Sequence, residues 1–102
     1  MIRRGTGPTL GFTTPYEQEL VDRGYITFQQ NGVNVLDIPF DGDQVEIEDN
    51  MIYCTLTQSQ TLVFDSKVNL KIQIRAVLTS GVPVASQEIS TTVGSILKDG
   101  VI

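Results

Sequence analysis

The sequence predicts an all-β protein, an antiparallel β-sandwich of about seven strands with one or two short helical turns. Two observations lead to that class. In VNLKIQIRA, Val68, Leu70, Ile72, Ile74 and Ala76 fall on one side, and Asn69, Lys71, Gln73 and Arg75 fall on the other. Strict alternation is the pattern of a strand with one buried and one wet face, whereas a helix would scatter the same residues around its circumference. The second observation is the spacing of turn residues. Thr79-Ser80-Gly81, Asn31-Gly32 and Asp49-Asn50 each separate two β-rich runs, so three hairpins follow one another along the chain.

The elements follow in order. PTLGFTTP reads as a first strand with Leu10 and Phe12 inward, and PYEQELVDRG has helix-compatible residues for one or two turns before Gly24. In GYITFQQNGVNVLDIPF, Asn31-Gly32 tolerates positive φ and favours a tight type I′ turn. Ile26 and Phe28 share a face of the first run. Val33 and Val35 alternate against Leu36 and Ile38 in the second, leaving its inner face open, and Pro39 ends that run or places it at an edge. QVEIEDNMIYCTLT places Val45 and Ile47 before its turn and Ile52, Cys54 and Leu56 after it. Thr57 caps a short helical turn in TQSQTLVFD that tucks Leu62 and Phe64 under the sheets. The return strand from Val82 to Val93 points Ala85, Ile89 and Val93 to one side.

The chain of 102 residues reads as a single β-sandwich domain spanning 1–102, with an N-terminal arm over 1–7 and an apolar C-terminal tail over 94–102. Apolar residues at 40% and charged residues at 19% are a globular balance, and no apolar run approaches the ~18 residues that a membrane helix needs. The opening MIRRGTGPTLGFTTP lacks the apolar stretch of a secretory signal, and one cysteine cannot form an intrachain disulfide. Synthesis in the cytosol is the expectation. A net charge of −5 with seven dispersed basic residues argues against nucleic acid as a partner, because phosphate neutralisation needs clustered Lys and Arg.

Function classes narrow further at the level of side-chain chemistry. The chain has no histidine, which removes the usual general base, the commonest metal ligand, and every Ser-His or Cys-His pair. The expectation is therefore a non-enzyme with no cofactor. DIPFDGDQVEIEDN gathers six of the twelve acidic residues, and Asp41, Asp43, Glu46 and Glu48 are the weak candidates for an oxygen-ligated calcium ion. The EF-hand spacing is absent, and Glu46 and Glu48 flanking Ile47 read more simply as the charged wet face of an edge strand. Cys54 shares a face with Ile52 and Leu56, has no cationic neighbour in sequence and reads as an inert buried thiol. At the ends, Ile2, Arg3, Arg4, Ile96, Leu97, Val101 and Ile102 are the candidate partner-binding residues. The apolar residues at the C-terminal end have little remaining sequence to cover them, so that end either folds back over an open edge of its own sandwich or docks onto another subunit.

Four segments, MIRRGTGPT, YITFQQNG, TLTQSQTLVF followed by VNLKIQIRA, and TTVGSILKDGVI, carry a resemblance over most of the chain. In them the chain resembles small proteins encoded among the virion-structure genes of tailed phages and prophages. More distantly, TLTQSQTLVF, a strand like LKIQIRAV, a turn glycine and a return strand are similar to the immunoglobulin-like N-terminal domain of phage baseplate upper proteins, which tether receptor-binding proteins to a tail. The resemblance implies an immunoglobulin-like sandwich made in the host bacterial cytoplasm and residing in the virion. It would be an adaptor, decoration or fibre-attachment module. The implied partners are other virion proteins of the capsid, neck, tail or fibre, with the chain as a homo-oligomer or in repeated copies. Up to Ile102 there is no helical or trimerising segment to carry a receptor binder. The alternative reading is a carbohydrate- or calcium-binding sandwich.

Overall fold

A computed structural model describes residues 1–102. Its strands are β1 (Ile2–Arg3), β2 (Thr9–Thr13), β3 (Val21–Gln30), β4 (Val33–Pro39), β5 (Val45–Glu48), β6 (Met51–Thr55), β7 (Leu70–Leu78), β8 (Pro83–Ala85), β9 (Ile89–Thr91) and β10 (Val93–Gly94), with one α-helix, α1 (Gln58–Leu62). One sheet runs β2-β6-β5. The other runs β4-β3-β7-β8, with β9 also on β7, and β1 pairs in parallel with β10. In immunoglobulin lettering, β2, β6 and β5 stand as B, E and D, and β4, β3, β7 and the broken β8/β9 strand stand as C′, C, F and G. The fold is an immunoglobulin-like β-sandwich.

Both sheets contribute to one core. Phe12, Ile52 and Cys54 come from the smaller sheet, and Ile26, Phe28, Ile38, Leu70, Ile72 and Ile74 come from the larger. The alternation in VNLKIQIRA has its expected result: Leu70, Ile72 and Ile74 are buried on β7, with Ile74 opposite Ile26 and Ile72 opposite Phe28. Asn31 and Gly32 both have positive φ, 52° and 74°, as a type I′ turn requires, and Gln30 pairs directly with Val33 across them. Thr57 caps α1 through a reciprocal box. Its hydroxyl accepts from the Gln60 N–H at 3.2 Å, and the Gln60 side chain accepts from the Thr57 N–H at 2.9 Å. Downstream, Phe64 is fully buried and stacks on Phe28 with ring centroids 5.7 Å apart.

The conflict of faces in VNVLDIP resolves as a β-bulge. The β3–β4 register shifts between Phe28 opposite Leu36 and Gln29 opposite Asn34, so Val35 is the extra residue. Leu36 and Ile38 therefore face inward, while Val33 is exposed at the turn. A similar shift corrects the expected return strand. β8 places Ala85 opposite Arg75 and exposed, whereas β9 places Ile89 opposite Ile72, so the register advances by one residue between them. Ser86 causes the break: its N–H donates to the Ile74 carbonyl at 2.8 Å, and its hydroxyl accepts from the Ile74 N–H at 3.0 Å. Ala85, Ile89 and Val93 consequently do not share a buried face. Ile89 is 41% exposed at the edge, and Val93 is buried beside β1 instead.

PYEQELVDRG supplies one short helical turn as expected, the three-residue 3₁₀ turn Gln18–Leu20; β3 then begins at Val21, and its pairing with β7 satisfies the following backbone groups. The arm over residues 1–7 is bonded to the body of the fold. The Ile2 N–H donates to Thr92 O and the Arg4 N–H to Gly94 O, both at 3.0 Å. The Thr6 N–H donates to the Thr61 hydroxyl at 3.1 Å, and that hydroxyl donates to Thr6 O at 2.9 Å.

Gln30 is a buried polar residue with every need met. Its Nε2 donates to Asp65 O at 2.8 Å and Val68 O at 3.0 Å, and its Oε1 accepts from the Asp65 N–H at 2.9 Å. The side chain thus pins the α1–β7 connection to the end of β3. Gln30→Leu keeps the size but strands these backbone groups, and should cost ~1–3 kcal/mol in denaturant unfolding. An unchanged midpoint would mean that water replaces the amide without penalty.

Candidate functional site

The two ends of the chain meet at one end of the sandwich, and α1 sits between them. Ile2 is only 4% exposed and belongs to the core, with Val93 as its register partner. Its assignment to a partner surface is therefore corrected: β1 completes the fold by closing over its own core. Arg3 reaches across β10, donating from Nη1 to Ser95 O at 2.7 Å. Arg4 is half-buried and donates from Nη2 to Leu62 O at 2.9 Å, while the same nitrogen lies 3.2 Å from Asp99 Oδ1. Both guanidinium groups serve to hold residues 95–99 and α1 in place.

Gly5 allows this close approach. Its φ is +74°, and a Cβ there would stand 2.9 Å from Ile96 Cδ1, so Ile96 packs half-buried against the glycine. Beyond Ile96 the apolar side chains turn outward. Leu97 is fully solvent-exposed, Val101 is exposed and Ile102 is 87% exposed. The tail is nonetheless tethered. Gln58 of α1 brackets Ile102, accepting from its N–H at 3.0 Å and donating to its carbonyl at 3.4 Å. The seven expected partner residues thus divide: Leu97, Val101 and Ile102 are exposed, Arg3, Arg4 and Ile96 hold the tail to the body, and Ile2 is internal.

The acidic stretch is laid out differently. Asp41 and Asp43 lie exposed in the β4–β5 connection, and Glu46 and Glu48 project from the wet face of β5 opposite Tyr53 and Met51. No three carboxylate, thiol or imidazole side chains come together as a cation would need. Gln44 beside them ties the loop to α1, its amide exchanging hydrogen bonds with that of Gln60.

Cys54 is buried with Ile52 and Leu56, and burial pushes its thiol from 9.0 up to about 11. That is the opposite of what a nucleophile needs. Between those two values the unfolded chain holds fewer protons than the folded one, so this group's contribution is fully present below pH 9.0 and is lost as pH rises through about 11. Cys54→Ala should therefore flatten the alkaline fall of melting temperature across that window. A parallel fall in both proteins would assign it to other groups.

One feature of the wet face gave little sign in the sequence. Tyr25, 53% exposed, stands on the outer face of the larger sheet opposite Arg75. A groove of about 560 Å³ runs from Tyr25 and Arg23 past Phe40 to Asp41 and Glu46. An exposed tyrosine at an outward β position was the available signal. No helix is long and apolar enough to cross a membrane. The chain matches no protein-family model and no curated protein.

Proposed function

We propose that this chain is a non-enzymatic assembly module of a phage particle, an adaptor, decoration or fibre-attachment piece that docks through the exposed apolar side chains of its tail, Leu97, Val101 and Ile102. The observation supporting docking is the combination of exposed apolar side chains with a tethered backbone. Leu97 and Ile102 face solvent, yet Asp99 is held by Arg4 and Ile102 by Gln58. A tail held near one conformation loses less entropy on binding than a free one, so more of its burial energy appears as affinity. Each of the three side chains would contribute ~1.5–3 kcal/mol if a partner buried it fully. The phage setting rests on the resemblance of MIRRGTGPT, YITFQQNG and TTVGSILKDGVI. The test is to mix the chain with the products of neighbouring virion genes and follow complex formation by sedimentation. Complexes that form with the parent and fail with Leu97→Asp support the reading, and complexes indifferent to that change refute it.

A second reading, a carbohydrate-binding sandwich, is favoured by the groove in which Tyr25 and Arg23 meet Asp41 and Glu46. An aromatic face with charged hydrogen-bonding groups suits a sugar ring. Glycan-array binding that disappears in Tyr25→Ala would support it.

A further inference from the structure

Sheet edges offer unpaired backbone groups to other chains, and folded proteins usually blunt them with charge, proline, bulges or breaks. Three of the four long edges here are blunted. β4 carries Asp37, Pro39 and the bulge at Val35. β5 carries Glu46 and Glu48. The β8/β9 edge begins at Pro83 and is interrupted between Ala85 and Ile89. The fourth, β2, has none of these. Thr9-Leu10-Gly11-Phe12-Thr13 is uncharged, free of proline and paired with β6 without a register shift. No strand lies on its other side, because β1 pairs with β10 instead.

The direction of the free groups follows from the ladder. Leu56 N–H donates to Pro8 O and Thr14 N–H to Asn50 O, both at the same register as Leu10 opposite Cys54 and Phe12 opposite Ile52. In an antiparallel pair the hydrogen-bonded residues alternate, so Pro8, Leu10, Phe12 and Thr14 bond to β6. Thr9, Gly11 and Thr13 direct their N–H and C=O groups away from it, and all three residues are exposed.

The strand is also palindromic in residue type about Gly11. A two-fold axis there sets Thr9 opposite Thr13 and Leu10 opposite Phe12 of another copy, threonine to threonine outside and apolar to apolar inside. An isologous interface requires such self-complementarity. Pro8 and Pro15 limit the pairing to this segment. The neutral edge also avoids bringing like charges face to face in a chain of net charge −5. We infer that β2 is a self-association edge, and that two copies of this chain join antiparallel through residues 9–13, centred on Gly11, into one continuous six-stranded sheet.

The register makes the test specific. T9K/T13K places like charges opposite each other twice across the axis, whereas T9K/T13E places opposite charges there twice. Sedimentation equilibrium from micromolar to millimolar protein should show a monomer–dimer equilibrium for the parent. The dissociation constant should rise at least about tenfold in T9K/T13K and much less in T9K/T13E. Circular dichroism and melting temperature establish that each variant is folded. A parent that stays monomeric, or two variants that dissociate to the same extent, would overturn the proposal. So would a parent that stays monomeric while an extended peptide from a virion partner binds the edge. Because Leu97 lies outside β2, Leu97→Asp leaves the self-association unchanged, which separates it from docking by the tail.

Discussion

Phe28→Ala should destabilise the isolated protein by ~3–5 kcal/mol, lost transfer energy plus the cavity left behind. Phe28 is fully buried, lies opposite Ile72 on one side and Leu36 on the other, and stacks on Phe64. It therefore joins β4, β3, β7 and the segment after α1 at a single point. Against a total stability of ~5–15 kcal/mol for a domain of this size, that loss leaves a marginal protein. The denaturant midpoint should fall with little change in slope. Ile72→Ala, one strand away, should cost ~2–5 kcal/mol by the same mechanism. A variant at either site that melts within a degree or so of the parent would contradict the facing of β3 and β7.

Ile2→Ala should cost ~2–4 kcal/mol in the isolated protein, towards the lower part of the usual range because a two-residue strand can partly relax into the space. An isoleucine so close to the start of a chain would ordinarily be frayed, since ordering each residue costs ~1–2 kcal/mol of backbone entropy. Here the parallel pairing with β10 and the side-chain bonds of Arg3 and Arg4 offset that cost. Leu97→Ala serves as the contrast. It removes an exposed side chain and should change stability by less than about 0.5 kcal/mol. Similar melting temperatures for Ile2→Ala and the parent would show that β1 is dispensable to the fold.

The comparison of Ile2 with Leu97 also shows where sequence reading reaches its limit. Both are apolar residues near an end, and local pattern treats them alike. Only the parallel β1–β10 pair, which joins residues more than ninety positions apart, distinguishes them. Features set by local chemistry were legible: the alternation of β7, the Asn31-Gly32 turn and the Thr57 cap each depend on a few adjacent residues. Register was less so, because one extra residue at Val35, and another between Ala85 and Ile89, reverses the faces downstream. The Gln30 clamp was silent, since nothing in the sequence marks a glutamine whose partners lie thirty-five positions away. The acidic stretch looked dense along the chain, but it divides between the β4–β5 connection and the wet face of β5, and no three of its carboxylates come together.

Residues 1–6 complete the fold, and in the proposed function Leu97, Val101 and Ile102 serve a partner. The direct measurement is incorporation into particles of a chain lacking residues 97–102, read beside the melting temperature of the isolated variant. The bonds lost from the fold are the Arg4–Asp99 pair, in which the carboxylate is exposed, and the exposed Gln58 bracket, and ion pairs open to solvent on one side contribute about 1 kcal/mol or less. The predicted result is a melting temperature within a few degrees of the parent together with loss of incorporation. Incorporation at the parent level would contradict the claim.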